Sequence, residues 1–165
     1  MLKLIISRSI LALMLVGSSI LKSGEPDIKW IENRIKKLAE ASEKNLAEGV
    51  SGEEGFWFMD RIISNKEFAL HMDDVYLWVH QASHAELQHQ VARQFLLSSS
   101  VFRIENPNRA HDQIALDIAG LAGVARSYEK IIEKDPTFRT KNMDGLIAVY
   151  KANRLNDLVK KILKI

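Results

Sequence analysis

Apolar residues return along this chain at intervals of three and four. Ile28, Ile31, Ile35 and Leu38 open the pattern and Leu46 continues it, while Lys29, Glu32, Arg34, Lys36 and Lys37 fill the remaining positions. That spacing predicts an amphipathic helix of about twenty residues, because i, i+3, i+4 and i+7 share one face of a 3.6-residue turn. Gly24-Glu25-Pro26-Asp27 suits its start, with proline in the first turn and acids at the positive end of the helix dipole. Gly49 marks its expected end.

Short helices are expected next. Ser51-Gly52-Glu53-Glu54, Ser64-Asn65-Lys66-Glu67 and Ser83-His84-Ala85-Glu86 each have a hydroxyl three residues before a glutamate, the signature of a capping box. The first leads into Phe56, Trp57, Met59, Ile62 and Ile63, the second into Phe68, Leu70 and Met72, and the third into Leu87, Val91 and Phe95. Asp73-Asp74 opens a further helix through Val75, Leu77, Trp78 and Val79.

Phe102 to Asn108 is the clearest break. Asn106 suits a cap, Pro107 the first helical position and Asn108 a turn. A regular stripe follows at Ile114, Ile118, Leu121, Ala125, Tyr128 and Ile132, and Asp135-Pro136 stops it. The last pattern runs from Met143 to Ile165. Leu146, Val149 and Tyr150 form one group, Leu155, Leu158, Val159, Ile162 and Leu163 another, with Asn153 as a turn between them. No segment shows the β-branched alternation of a strand.

The first 23 residues follow another logic. Lys3 and Arg8 precede an uncharged run of 13 residues, Ser9 to Leu21, with Gly17, Ser18 and Ser19 near its end. A basic start, a short apolar centre and small residues describe a secretory signal peptide cut near Ser18 or Ser19, or an uncleaved signal anchor. We therefore expect a signal segment over residues 1–23, one all-helical domain over 24–165, and an exported protein, periplasmic or secreted. An uncleaved leader would anchor it to the membrane.

Composition is that of a globular chain, with 47% apolar and 27% charged residues among 165. Cysteine is absent, which excludes disulfides, thiolate metal sites and thiol nucleophiles. The net charge of +2 is a leader effect: beyond residue 23 there are 20 basic and 21 acidic residues. Nucleic acid is therefore not an expected partner, and no aromatics are interleaved with the basic residues. Charge is instead divided along the chain. Residues 40–117 carry 6 basic and 13 acidic groups, whereas residues 134–165 carry 8 basic and 3 acidic.

Tyr128-Glu129-Lys130-Ile131-Ile132-Glu133-Lys134-Asp135-Pro136 resembles the end of a tetratricopeptide repeat, a helix–turn–helix unit of about 34 residues. In that register Asn153 stands where the family often has a turn glycine and Leu158 where it prefers alanine. Val149 and Ile162 take positions for large residues. The resemblance covers about residues 120–165 and implies stacked helical hairpins with a partner-binding groove. Gly120 falls near the preceding repeat's turn, so residues 109–134 are either a hairpin or one long helix. In the second case Gly120 and Gly123 allow a neighbouring helix to come close.

Candidate chemistry is sparse. His80 and His84 have a zinc-site spacing, but Ser83 and Glu86 put a helix start between them. Glu86 and His89 match half of a di-iron motif whose second half is missing. Asp73-Asp74 lacks the pattern of a calcium loop, Gly120-x-x-Gly123 is no phosphate loop, and Ser98-Ser99-Ser100 has no nucleophile elbow. No catalytic residue, metal or cofactor is assigned. Trp57, Phe58, Tyr76 and Trp78 read as packing residues or as the lining of a groove for a partner helix.

The sequence thus points to an all-α fold, a tetratricopeptide-like hairpin array or an irregular helical bundle. Its expected role is non-catalytic protein–protein interaction at the cell envelope. Tyr150, Lys151, Arg154, Lys160 and Lys161 are the candidate binding residues, for an acidic protein or, through the basic last helix, an anionic membrane surface. The alternative is a small metal-dependent or hydrolytic enzyme using the region His80–His89.

Overall fold

The computed structural model describes residues 27–46, 52–64 and 73–165. The leader, Gly49, Ser51, His71 and the segment holding Phe68, Leu70 and Met72 lie outside the described residues. Among the described residues the fold is all-α, with seven α-helices, three single 3-10 turns and no strand. None of those helices is long and apolar enough to cross a membrane. Contacts divide the chain into residues 1–31 and residues 32–165.

Helix α1 (Ile28–Lys44) starts where Asp27 Oδ1 accepts the Lys29 N–H at 3.1 Å. Of the predicted stripe, Ile35 and Leu38 are buried in its later turns with Ala39 and Ser42 beside them, whereas Ile28 is exposed and the helix stops at Lys44. Helix α2 (Gly52–Ser64) carries Glu53 and Glu54 in its first turn. Glu54 takes both Arg34 Nη2 at 2.7 Å and Nε at 3.0 Å, and the Arg34 guanidinium lies 4.0 Å over the Trp57 ring. Helix α3 (Asp74–Ala82) is capped by Asp73, whose Oδ1 accepts the N–H groups of Val75 and Tyr76.

The box expected at Ser83–Glu86 does not form. Ser83 ends α3 instead, donating its hydroxyl to the Val79 carbonyl at 2.7 Å, and His84 Nδ1 accepts the Glu86 N–H in a 3-10 turn, Ala85–Leu87. A serine in the last turn of a helix finds a free carbonyl four residues back before it can cap the next helix. Helix α4 (Gln88–Glu105) follows. Asn106 likewise serves the helix behind it, its Nδ2 donating to the Phe102 carbonyl, and Pro107–Arg109 is a 3-10 turn. Asp112 caps the next helix instead, accepting the Ala115 N–H at 3.1 Å.

That helix, α5 (Gln113–Lys134), is unbroken over 22 residues, so Gly120 is no turn. It lies against α4 at very short range. A Cβ on Gly123 would sit 1.8 Å from Ser98 Oγ, and one on Gly120 2.6 Å from the Phe95 ring and from Ser99 Oγ. Glycine in a helix interior loses about 1 kcal/mol relative to alanine. Here it admits the neighbouring backbone. Around this crossing lie Phe95, Leu96, Leu97, Leu116, Leu121 and Val124, all buried. Helix α4 also buries Gln94, Ser98, Ser99 and Ser100. Their polar groups are internally matched: Ser42 donates to Gln94 Oε1, Gln94 Nε2 to Ser98 Oγ at 2.9 Å, and Ser99 to the Leu116 carbonyl at 2.9 Å.

Asp135 ends α5 and caps a 3-10 turn, Pro136–Phe138, through the Thr137 N–H and hydroxyl. Thr140 then serves two helices at once. Its Oγ1 donates to the Ala82 carbonyl at the end of α3 (2.6 Å) and accepts the Met143 N–H that starts α6 (Lys141–Lys151). Asn153 makes the expected turn with φ 55°, a left-handed conformation that asparagine tolerates. The last helix, α7 (Leu155–Leu163), is strongly amphipathic. It buries Leu155 and Val159 and packs on α3, α5 and α6.

Candidate functional site

The five candidate residues separate into two sets. Tyr150 is half-buried near Arg126, whose guanidinium grips Glu43 through two bonds of 2.9 and 2.6 Å. Lys151 pairs with Glu129 of α5, and Arg154 Nε bonds Asp157 Oδ2 at 2.9 Å in the first turn of α7. Lys151 and Arg154 hold ion pairs within the chain and remain exposed. Lys160 and Lys161 are exposed on α7 and form no ion pair with a described residue.

Lys161 stands on the rim of a groove. Helices α3, α6 and α7 enclose a depression of about 510 Å³. Its apolar lining comes from Trp78, Leu146, Val149, Leu158 and Ile162, and Lys141 and Lys161 border it. Gly145 contributes bare backbone: a Cβ there would meet nothing within 4 Å. Leu146 is buried, while Trp78, Val149, Leu158 and Ile162 remain partly accessible. The surface is therefore apolar, open and positively edged, and suits an amphipathic segment with acidic flanks.

Comparison with protein families, curated proteins and solved structures gives no match. The assignment rests on geometry.

Sequence reasoning named Lys161 but missed its surroundings. Trp78 was expected either in the core or in a groove, and it lies in the groove wall. Val149, Leu158 and Ile162 belonged to visible stripes. Nothing in the pattern says which apolar positions a helix leaves uncovered.

The histidine region is differently arranged from a metal site. Helix α3 ends between His80 and His84, so the two do not share a helix face. The His80 and His89 rings meet edge to face at 5.5 Å, and His84 lies against the Phe138 ring at 5.2 Å. Among the described residues no group of three or more histidine or acidic side chains could hold a metal ion.

One ionisable constellation was not anticipated. Asp117 of α5 is fully buried. Gln113 Nε2 donates to Asp117 Oδ1 at 2.8 Å and to Asp73 Oδ2 at 3.1 Å, joining two carboxylates through one amide. Asp117 Oδ2 has no hydrogen-bond partner. Burial, and then the Asp73 charge, push the Asp117 carboxyl up to about 7, against the hydrogen bond from Gln113. Asp117 reads in sequence as an ordinary polar position of α5, and only the approach of the α3 cap distinguishes it.

Proposed function

We propose that this chain is an exported, non-catalytic helical module that binds a protein partner at the cell envelope through the groove between α3, α6 and α7. The observation that carries this reading is the apolar lining of Trp78, Val149, Leu158 and Ile162 bordered by Lys141 and Lys161. Such a surface takes an amphipathic helix or extended segment whose apolar side chains enter the groove and whose acids meet the lysines. The helix–turn–helix Lys141–Leu163 with Asn153 at its turn supports a tetratricopeptide-like hairpin at this end of the chain. Export rests on the basic start and short apolar run of residues 1–23.

The test is capture of the tagged full chain from mildly cross-linked cell envelopes, read by mass spectrometry. Gly145→Leu fills the groove from an open helix position and leaves every charge in place. Lys160→Glu/Lys161→Glu reverses the charge at Lys161 on the rim and at its neighbour on α7, and leaves Lys141 in place. A partner held by the wild type and lost with both variants is the expected result. A partner held equally by all three places binding elsewhere. Loss with the lysine variant alone, together with loss of sedimentation on anionic vesicles, assigns the basic helix to a membrane surface instead. N-terminal sequencing of the fractionated protein tests the leader.

A further inference from the structure

The bridge between Asp73 and Asp117 has no part in the groove's lining, but it meets the start of the helix that supplies one of the groove's walls. Asp73 is the cap of α3, and α3 carries Trp78. Gln113 ties that cap to the second turn of α5. Asp117 Oδ2 is enclosed and without a donor. A carboxyl in that position costs less when it carries a proton, which the neighbouring Asp73 carboxylate can accept, than when it is charged.

The neighbouring charges do not relieve it. From α3, the facing acid is Asp73, of the same sign, while Tyr76 lies against the Phe95 ring of α4 and is influenced by Arg93. From α4, Ser99 spends its hydroxyl on the Leu116 carbonyl, and Arg103 directs Nε to the Ala110 carbonyl at 3.0 Å. At the start of α5, Asp112 is engaged by Arg109 at 2.8 Å. No described cation forms an ion pair with Asp73 or Asp117.

We propose that Asp73, Gln113 and Asp117 form a proton-operated latch, which holds the N-terminal end of α3 on α5 while Asp117 is protonated and loosens it when Asp117 ionises. Two carboxylates cannot both be charged around one amide in a dry site without repulsion. Ionised, Asp117 also needs water at Oδ2, and the path to that water is displacement of the α3 cap. The relaxed state thus exchanges an enclosed charge for a hydrated one. The effect on partner binding rests on the groove reading above. The latch itself does not.

The test is backbone amide exchange of α3 in the full-length protein, without partner, corrected for intrinsic chemistry, between pH 5 and pH 8. Opening that restores an ordinary carboxyl makes exchange at Val75–Val79 faster by up to about tenfold per pH unit to near pH 7, and level above it. Asp117→Asn keeps the shape, removes the titration, and gives a flat profile at the slow, acid-side rate. Asp73→Asn keeps an oxygen for the α3 cap but removes the like charge and the acceptor of Gln113, so it raises the acid-side rate and ends the rise at lower pH. The carboxyl carbon resonance of Asp117, followed by NMR in the wild type, provides a reading that needs no variant to fold. An Asp117 resonance titrating in the ordinary carboxyl range overturns the latch, and so does an α3 profile unchanged in Asp117→Asn. A pH-dependent α3 in a protein whose groove binds no partner upholds the latch and overturns the docking role.

Discussion

Helices α4 and α5 meet in the centre of the molecule, and helices α6 and α7 at one side, and each pair contains a glycine that means the opposite of the other. At Gly123 nothing larger fits, because a Cβ would lie 2.5 Å from Ser98 Cβ. At Gly145 the space outside the backbone is empty. The central pair buries serines, a glutamine and an aspartate and brings two backbones together. The side pair follows strict amphipathic alternation and leaves part of its apolar face open. The centre is therefore specified by small and polar residues in matched places, the edge by hydrophobic periodicity. The tightly matched region resists change, and the loosely covered one is where a partner can be added.

The most severe way to break this contrast is Gly123→Ala. Overpacking of this kind typically costs 1–3 kcal/mol, and here the clash falls on a Cβ rather than a flexible tip, so we expect about 3 kcal/mol of lost stability by urea denaturation. Asp117→Asn comes next. The wild-type group holds its proton better when folded than when unfolded, so stability is full below the ordinary carboxyl range. It falls as pH rises toward about 7 and is constant above. The variant should be flat across that window and on the order of 2 kcal/mol more stable than wild type at pH 7.5, a result for pH-dependent thermal melts to check. Ser98→Ala leaves Gln94 Nε2 without its acceptor and should cost about 1–2 kcal/mol in the same denaturation assay. Gly145→Ala should do the reverse of Gly123→Ala and gain about 0.5–1 kcal/mol, since only helix propensity changes. Lys160→Glu/Lys161→Glu should alter stability by less than about 0.5 kcal/mol while abolishing capture of an acidic partner.

Much of the helical framework was readable from spacing alone. The stripe from Ile114 to Ile132 is buried from Leu121 onward, while Ile114 and Ile118 are only half-buried, and it, the cap at Asp73, the stop at Asp135-Pro136 and the turn at Asn153 depend on local chemistry, which a sequence carries explicitly. The close approach at Gly120 and Gly123 was one of two open readings, and the unbroken α5 selects it. What failed was the competition between neighbours. Ser83 and Asn106 are good caps by composition, but each bonds a carbonyl of the helix behind it. Among the candidate binding residues, Lys151 pairs with Glu129, 22 positions away, and Arg154 with Asp157, next door on α7. Long-range pairing has no signature in a single chain of letters. Lys161 stands on the groove's rim and forms no ion pair with a described residue.

Thr140 gives α3 a fulcrum. One hydroxyl joins the C-terminal end of that helix to the start of α6, whereas Gln113 holds the opposite end. In the proposed latch, release at Asp73 with Ala82 still held lets α3 swing about its C-terminal end rather than slide. With about 1.5 Å of rise per residue, the arm from Ala82 to Trp78 is about 6 Å and the arm from Ala82 to Asp73 about 13 Å. A displacement at the acidic end therefore reaches the indole at somewhat less than half its size. The helix acts as a reducing lever, turning a coarse movement at a charged junction into a fine adjustment of the groove's width.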